Sequence, residues 1–93
     1  MAMSKVQLDI VTPERIVYSD MVDMVITRAV LGDVGILPKH APFVTPLRES
    51  VVVRVKKDGR EDHYTVKSGF LEVRPDKITI LAESADVPET DRD

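Results

Sequence analysis

The sequence predicts an all-β domain, a flattened β-sandwich or barrel of about ten short strands. Three observations lead there. The dominant hydrophobic period is two, turn chemistry recurs at short intervals, and the Met21 to Val30 stretch does not keep an apolar stripe at helical spacing. At 93 residues there is room for one small domain, which buries only about 60–65% of the surface its unfolded form exposes. With no cysteine, neither disulfides nor thiolate metal sites contribute. The 43% hydrophobic and 31% charged composition is that of an ordinary globular chain.

Each element follows in order. Val6-Gln7-Leu8-Asp9-Ile10 alternates apolar with polar, and Pro13 ends the run because it has no N–H for a ladder. Arg15-Ile16-Val17-Tyr18 makes a short run that Ser19-Asp20 breaks. Met21 to Val30 reads as one long strand with Val22, Met24, Ile26 and Val30 on one parity and Asp23 and Thr27 on the other. A helix there would place Arg28 on the stripe of Met21, Met24 and Val25. Gly32 and Gly35 bracket a turn. Pro38, Pro42 and Pro46 then leave Phe43-Val44-Thr45 as a brief extended piece.

The second half reads as two hairpins. Val51, Val53 and Val55 alternate with Val52, Arg54 and Lys56 as far as Asp58-Gly59, the pair that suits a type I′ turn. Glu61 to Lys67 returns, Ser68-Gly69 interrupts, and Phe70 to Arg74 leads to a Pro75-Asp76 turn and Ile78 to Leu81. From Ala82 the residues become small and acidic. The expected organisation is a sandwich over residues 1–83 and an adaptable tail over 84–93.

Charge and motifs narrow the function. Thirteen basic against sixteen acidic side chains give a net charge of −3, which argues against general binding to nucleic acid or anionic lipid. No apolar run exceeds three residues, too short for a membrane span or a signal-peptide core. His40 and His63 form no metal-ligand pattern, and no nucleophile elbow is present. Gly32-Asp33-Val34-Gly35 lacks the lysine and the following helix of a phosphate loop. His63 reads as a surface residue, whereas His40, between prolines, is open to a structural or an interaction role. The expectation is a non-catalytic interaction domain with no cofactor and no metal.

Three strings then form a pattern: Asp9 to Glu14, Gly32 to Pro42 (Gly-Asp-Val-Gly-Ile-Leu-Pro-Lys-His-Ala-Pro), and Gly69 to Ala82. In order and spacing they resemble the epsilon subunit of bacterial F-type ATP synthases, of the Bacillus type. The resemblance implies an N-terminal β-sandwich followed by a C-terminal helical hairpin that would begin where this chain stops. It implies a rotor part of the central stalk that couples proton or sodium flow to ATP synthesis without catalysing bond chemistry. Its partners would be the gamma subunit, the c-subunit ring and, through the absent helices, the alpha/beta head. It would sit peripherally on the cytoplasmic face of the cell membrane without insertion.

On the same basis the ring-facing loop is Gly32, Asp33, Val34, Gly35, Leu37, Pro38, Lys39 and His40, with Asp33 serving as contact, as turn former or as both. Asp91 is a candidate for the first acid of an ATP-binding motif whose arginine lies beyond the chain end. A free-standing nucleotide-sensing β-domain is the alternative reading. Lys39, Ser68 and Ser50 stand where the family often has glycine. Those positions therefore either avoid positive φ or hold a strained backbone.

Overall fold

A computed structural model describes residues 5–29, 32–36 and 42–86. Among them are eight strands: β1 (Val6–Val11), β2 (Ile16–Val22), β3 (Met24–Ala29), β4 (Gly32–Ile36), β5 (Phe43–Pro46), β6 (Ser50–Lys57), β7 (Arg60–Val73) and β8 (Lys77–Asp86). They form one sheet in the order β2-β1-β8-β7-β6-β3-β4, with β5 on the same side of β7 as β6. Every pairing is antiparallel except β1 with β8. The sheet folds over itself around a core of Leu8, Ile10, Val22, Val25, Ile36, Val53, Val55, Val66, Leu71, Ile78 and Ile80, all fully buried.

The fold-over is set by β7. Its first half pairs with β6 (Ser50↔Lys67 to Lys57↔Arg60) and its second half with β5 (Pro46↔Phe70 to Phe43↔Val73). Between them Ser68 takes φ +55°. Burial parity changes there: Tyr64 and Val66 face inward before the bend, and Gly69, Leu71 and Val73 after it. The bend is tied down by Ser68 N–H donating to the Glu49 carbonyl and Leu47 N–H donating to the Gly69 carbonyl, both at 2.9 Å. β8 follows the same path, and a Cβ on Gly69 would lie 2.6 Å from the Leu81 carbonyl oxygen. Glycine is demanded at 69 by that approach, whereas 68 holds a left-handed serine.

Several expectations change. The strands number eight among the described residues, not about ten, because the supposed breaks at Ser19-Asp20 and Ser68-Gly69 lie inside continuous strands. In β2, Ser19 and Asp20 are accommodated because each side chain finds a partner on its own face: Ser19 Oγ donates to Asp9 at 2.8 Å, and Asp20, on the parity of Tyr18, pairs with Lys57. The long strand from Met21 is divided at Asp23, whose N–H donates to the Lys56 carbonyl (2.8 Å) and whose carboxylate accepts from Lys5 (2.9 Å) and the Asp58 N–H (2.8 Å). That corner reverses the parity, so Val25, Thr27 and Ala29 are buried and Met24 and Ile26 only half-buried. β8 continues to Asp86, three residues beyond the expected boundary at 83, because Ala82 and Ala85 are small enough to pack against the bent β7.

The β6–β7 hairpin matches its expectation closely. Asp58 (φ 51°) and Gly59 (φ 80°) both take positive φ, as a type I′ turn requires. Pro75-Asp76 likewise closes β7 to β8, with Arg74 N–H donating to the Lys77 carbonyl at 2.8 Å.

Candidate interaction surface

The Gly32–His40 segment divides. Gly32, Asp33, Val34 and Gly35, expected as a turn, instead form β4 and pair with β3 through Ala29↔Gly32, Arg28↔Asp33, Thr27↔Val34 and Ile26↔Gly35. Gly32 has φ +138°, a conformation that favours glycine, and a Cβ on Gly35 would meet only the flexible Met24 methyl at 3.0 Å. β4 is an edge of the sheet and therefore presents backbone groups outward. Leu37, Pro38, Lys39 and His40 lie outside the described residues, as does Asp91.

A feature that the strand pattern did not single out is a lateral apolar row. In register across the outer face of five strands run Ile16↔Val11, Val11↔Leu81, Leu81↔Phe70 and Phe70↔Pro46. Ile16 is 62% exposed, Phe70 53% and Leu81 48%; Val44, two residues along from Pro46, is 66% exposed. Scattered single apolar residues on a surface need no explanation, but a contiguous row on one face marks a docking surface. The signal was in the sequence as apolar residues on the outward parity: Phe70 between Gly69 and Leu71, Leu81 between Ile80 and Ala82. Recognising them needed the parity change at Ser68 and the register of β8, which only the fold supplies.

The neighbouring row is polar and ordered. Asp9 accepts from Gln7 Nε2 and Ser19 Oγ, both at 2.8 Å, and from Lys77 at 3.1 Å. Burial pushes its carboxyl upward, but those hydrogen bonds outweigh it and hold the pKa below the usual value. Across the molecule the hairpin tip is fastened to the β2–β3 corner by Lys5, which reaches both Asp23 (2.9 Å) and Asp58 (2.8 Å), and by Lys57 on Asp20. On β6 and β7, Arg54 Nε donates to Glu61 at 2.7 Å, and His63 Nε2 lies 2.7 Å from the same carboxylate. Arg54 first, then His63, depress the Glu61 pKa to about 2. His63 is exposed, as expected.

Tyr64 stacks edge-on against Tyr18 with ring centroids 5.1 Å apart, and burial pushes its pKa up to about 12. This contact ties β2 to β7 across the interior, so its role is structural. Among the described residues no group of three or more His, Asp or Glu side chains is arranged to hold a metal, and no helix is long and apolar enough to cross a membrane.

A folded sheet with an apolar row on one face and a strand edge at another defines an all-β domain with a candidate docking face. Comparison with known proteins gives the family. The model of the β-sandwich domain of the ATP synthase delta/epsilon chain matches residues 5–88. The ATP synthase epsilon chain of Brevibacillus brevis is 52% identical over 87 residues, which cover 92% of this chain and 65% of that protein. The epsilon chain of Bacillus subtilis is 49% identical, with 94% and 65% covered. The chain belongs to the ATP synthase delta/epsilon chain family. It spans about 65% of the length of those relatives. Its fold is also that of a chain in the Euglena gracilis mitochondrial ATP synthase structure, with a TM-score of 0.82 at 24% identity, covering 94% of this chain and 56% of that one.

Proposed function

We propose that this chain is the β-sandwich part of an ATP synthase epsilon subunit. It acts as a non-catalytic rotor component of the central stalk, and couples proton or sodium flow through the c-ring to ATP synthesis at the catalytic head. The observation that carries the reading is the conjunction of identity near 50% to epsilon chains with a five-strand apolar row on the outer face. In this reading the row through Ile16, Leu81 and Phe70 packs against the gamma subunit. The Gly32–His40 segment, starting on edge strand β4, faces polar loops of the c-ring, and Asp33 meets a basic or polar group there.

A rotor element transmits torque only if it does not deform. A bent sheet closed over a fully buried aliphatic core, with both hairpin ends fastened by hydrogen bonds, meets that requirement. The complex holds the chain at the cytoplasmic face of the cell membrane without insertion. Control of ATP hydrolysis is assigned to the C-terminal helices that the resemblance implies, which contact the alpha/beta head. This chain neither inhibits hydrolysis nor binds ATP tightly through Asp91.

Size-exclusion chromatography with a catalytic head assembled with gamma but without epsilon tests the proposal. Stoichiometric co-elution of the folded chain is expected. Elution of the chain apart from a gamma-containing head would remove the rotor reading of this domain.

A further inference from the structure

Asp58 is the one aspartate in the chain that is followed by glycine, and the chain contains no asparagine. An aspartate carboxyl can be attacked by the amide nitrogen of the next residue, which closes a five-membered succinimide. A Cβ on that next residue crowds the approach, and glycine has none. Both groups belong to one chain, so the reaction needs a rotation and not an encounter.

The structure places this pair where the ring has room to form. Asp58 and Gly59 make the turn between β6 and β7, and the Asp58 side chain is 65% exposed. A Cβ built on Gly59 meets no atom within 4 Å, and the Gly59 N–H donates to no group among the described residues. The same aspartate is clamped from two directions. Lys5 Nζ lies 2.8 Å from Asp58 Oδ1 and 2.9 Å from Asp23 Oδ1, and the Asp58 N–H donates to Asp23 Oδ2 at 2.8 Å. A carboxyl engaged by Lys5 is not free to turn its carbon onto the Gly59 nitrogen.

We propose that Asp58 is a site of succinimide and isoaspartate formation whose rate is set by the Lys5 clamp. The Gly59 nitrogen forms a bond to Asp58 Cγ, and a C–O bond of the carboxylic acid breaks. The oxygen leaves as water, carrying the acid proton and the Gly59 amide proton. Water then opens the ring. Addition at Cγ restores aspartate, whereas addition at the former main-chain carbonyl routes the backbone through Cβ and gives isoaspartate. That product adds one carbon to the main chain at a two-residue turn closed by Lys57↔Arg60, and it moves the carboxylate that Lys5 holds. The hairpin tip is thereby released from the β2–β3 corner. The new α-carboxylate is the group that an S-adenosylmethionine-dependent isoaspartyl methyltransferase esterifies. The site is separate from the apolar row and does not depend on the rotor reading.

Ageing the folded chain at neutral pH tests the proposal. Isoaspartate is counted with an isoaspartyl methyltransferase and a labelled methyl donor, and its position is read by electron-transfer fragmentation of the peptide that carries residue 58. Label at residue 58 is expected, preceded by a species lighter by one water. Lys5→Gln raises the rate about tenfold, and Gly59→Ala lowers it about tenfold by crowding the attacking nitrogen. High salt raises the rate of the unaltered chain as well, because it screens the exposed Lys5–Asp58 pair without any substitution.

A denaturation curve shows whether Lys5→Gln stays folded, and if it does not, the salt series decides. Absence of label at residue 58 overturns the site. Equal rates at low and high salt, together with an unchanged rate in a folded Lys5→Gln chain, overturn the clamp.

Discussion

Two residues of β6–β7 take nearly the same left-handed backbone, and the comparison separates what sequence announces from what packing imposes. Asp58 has φ 51° and Ser68 has φ 55°. Asp58 sits in a solvent-facing two-residue turn where Asp tolerates positive φ and the following glycine completes the geometry. Its side chain also accepts a hydrogen bond from Lys5 at 2.8 Å. Ser68 lies inside a 14-residue strand, and its side chain has no comparable bond among the described residues. Its conformation is forced by the strand's change of partner from β6 to β5, with the N–H held by Glu49. One is a local preference, and the other is local strain sustained by tertiary contacts.

Substitutions at the two positions and their neighbours sharpen that contrast. The largest effect is expected at Gly69→Val. The new Cβ would lie 2.6 Å from the Leu81 carbonyl oxygen, so β8 must shift, and denaturant unfolding should show a loss of roughly 3 kcal/mol or more. Gly59→Val, where a Cβ meets no atom within 4 Å, carries only the left-handed strain and should cost less. Ser68→Gly works in the opposite direction. Relief of about 1–2 kcal/mol of left-handed strain exceeds the added unfolded-state freedom of glycine, leaving a net gain of roughly 0.5–1 kcal/mol. A thermal melt would register it as a rise of roughly 3–6 °C. Asp58→Gly gains no such increment, because it also removes the Lys5 contact. A melting temperature raised equally by both changes would refute the distinction.

The same contrast explains how much could be read without coordinates. Turn chemistry at Asp58-Gly59 and Pro75-Asp76, and the alternation of Val51, Val53 and Val55, depend on near neighbours in sequence, and these elements were legible. The corner at Asp23, the strand identity of Gly32–Ile36 and the continuation of β8 through Ala85 depend on partners far away in the chain. Asp23 is turned by Lys56 and Lys5, and Gly32 to Ile36 is drawn into the sheet by its pairing with β3. The candidate surface divides likewise. Its glycine-rich string was visible as a motif, whereas the apolar row exists only because four pairings align Ile16, Val11, Leu81, Phe70 and Pro46.

The smallest expected effect lies on the exposed face of the hairpin. Glu61, held near pKa 2 by Arg54 and then His63, titrates well below its ordinary value of 4.5. Because the folded pKa is the lower one, the stabilisation is present above about 4.5 and is lost as the pH falls towards about 2. Carboxyl carbon shifts should therefore follow a Glu61 titration near pH 2. In Arg54→Gln the midpoint should move back towards 4.5 with little change in fold. An unmoved midpoint would transfer the effect to His63.

Site-specific photocrosslinking in the assembled head-and-stalk complex tests the central claim most directly. A photoreactive benzoylphenylalanine replaces Phe70 on the apolar row, or Val52 on the β3–β6 face, which is also exposed. The account predicts a gamma adduct from position 70 and none from position 52. Gamma captured from 52 while 70 remains free would contradict it and move the rotor contact to the opposite layer of the sandwich.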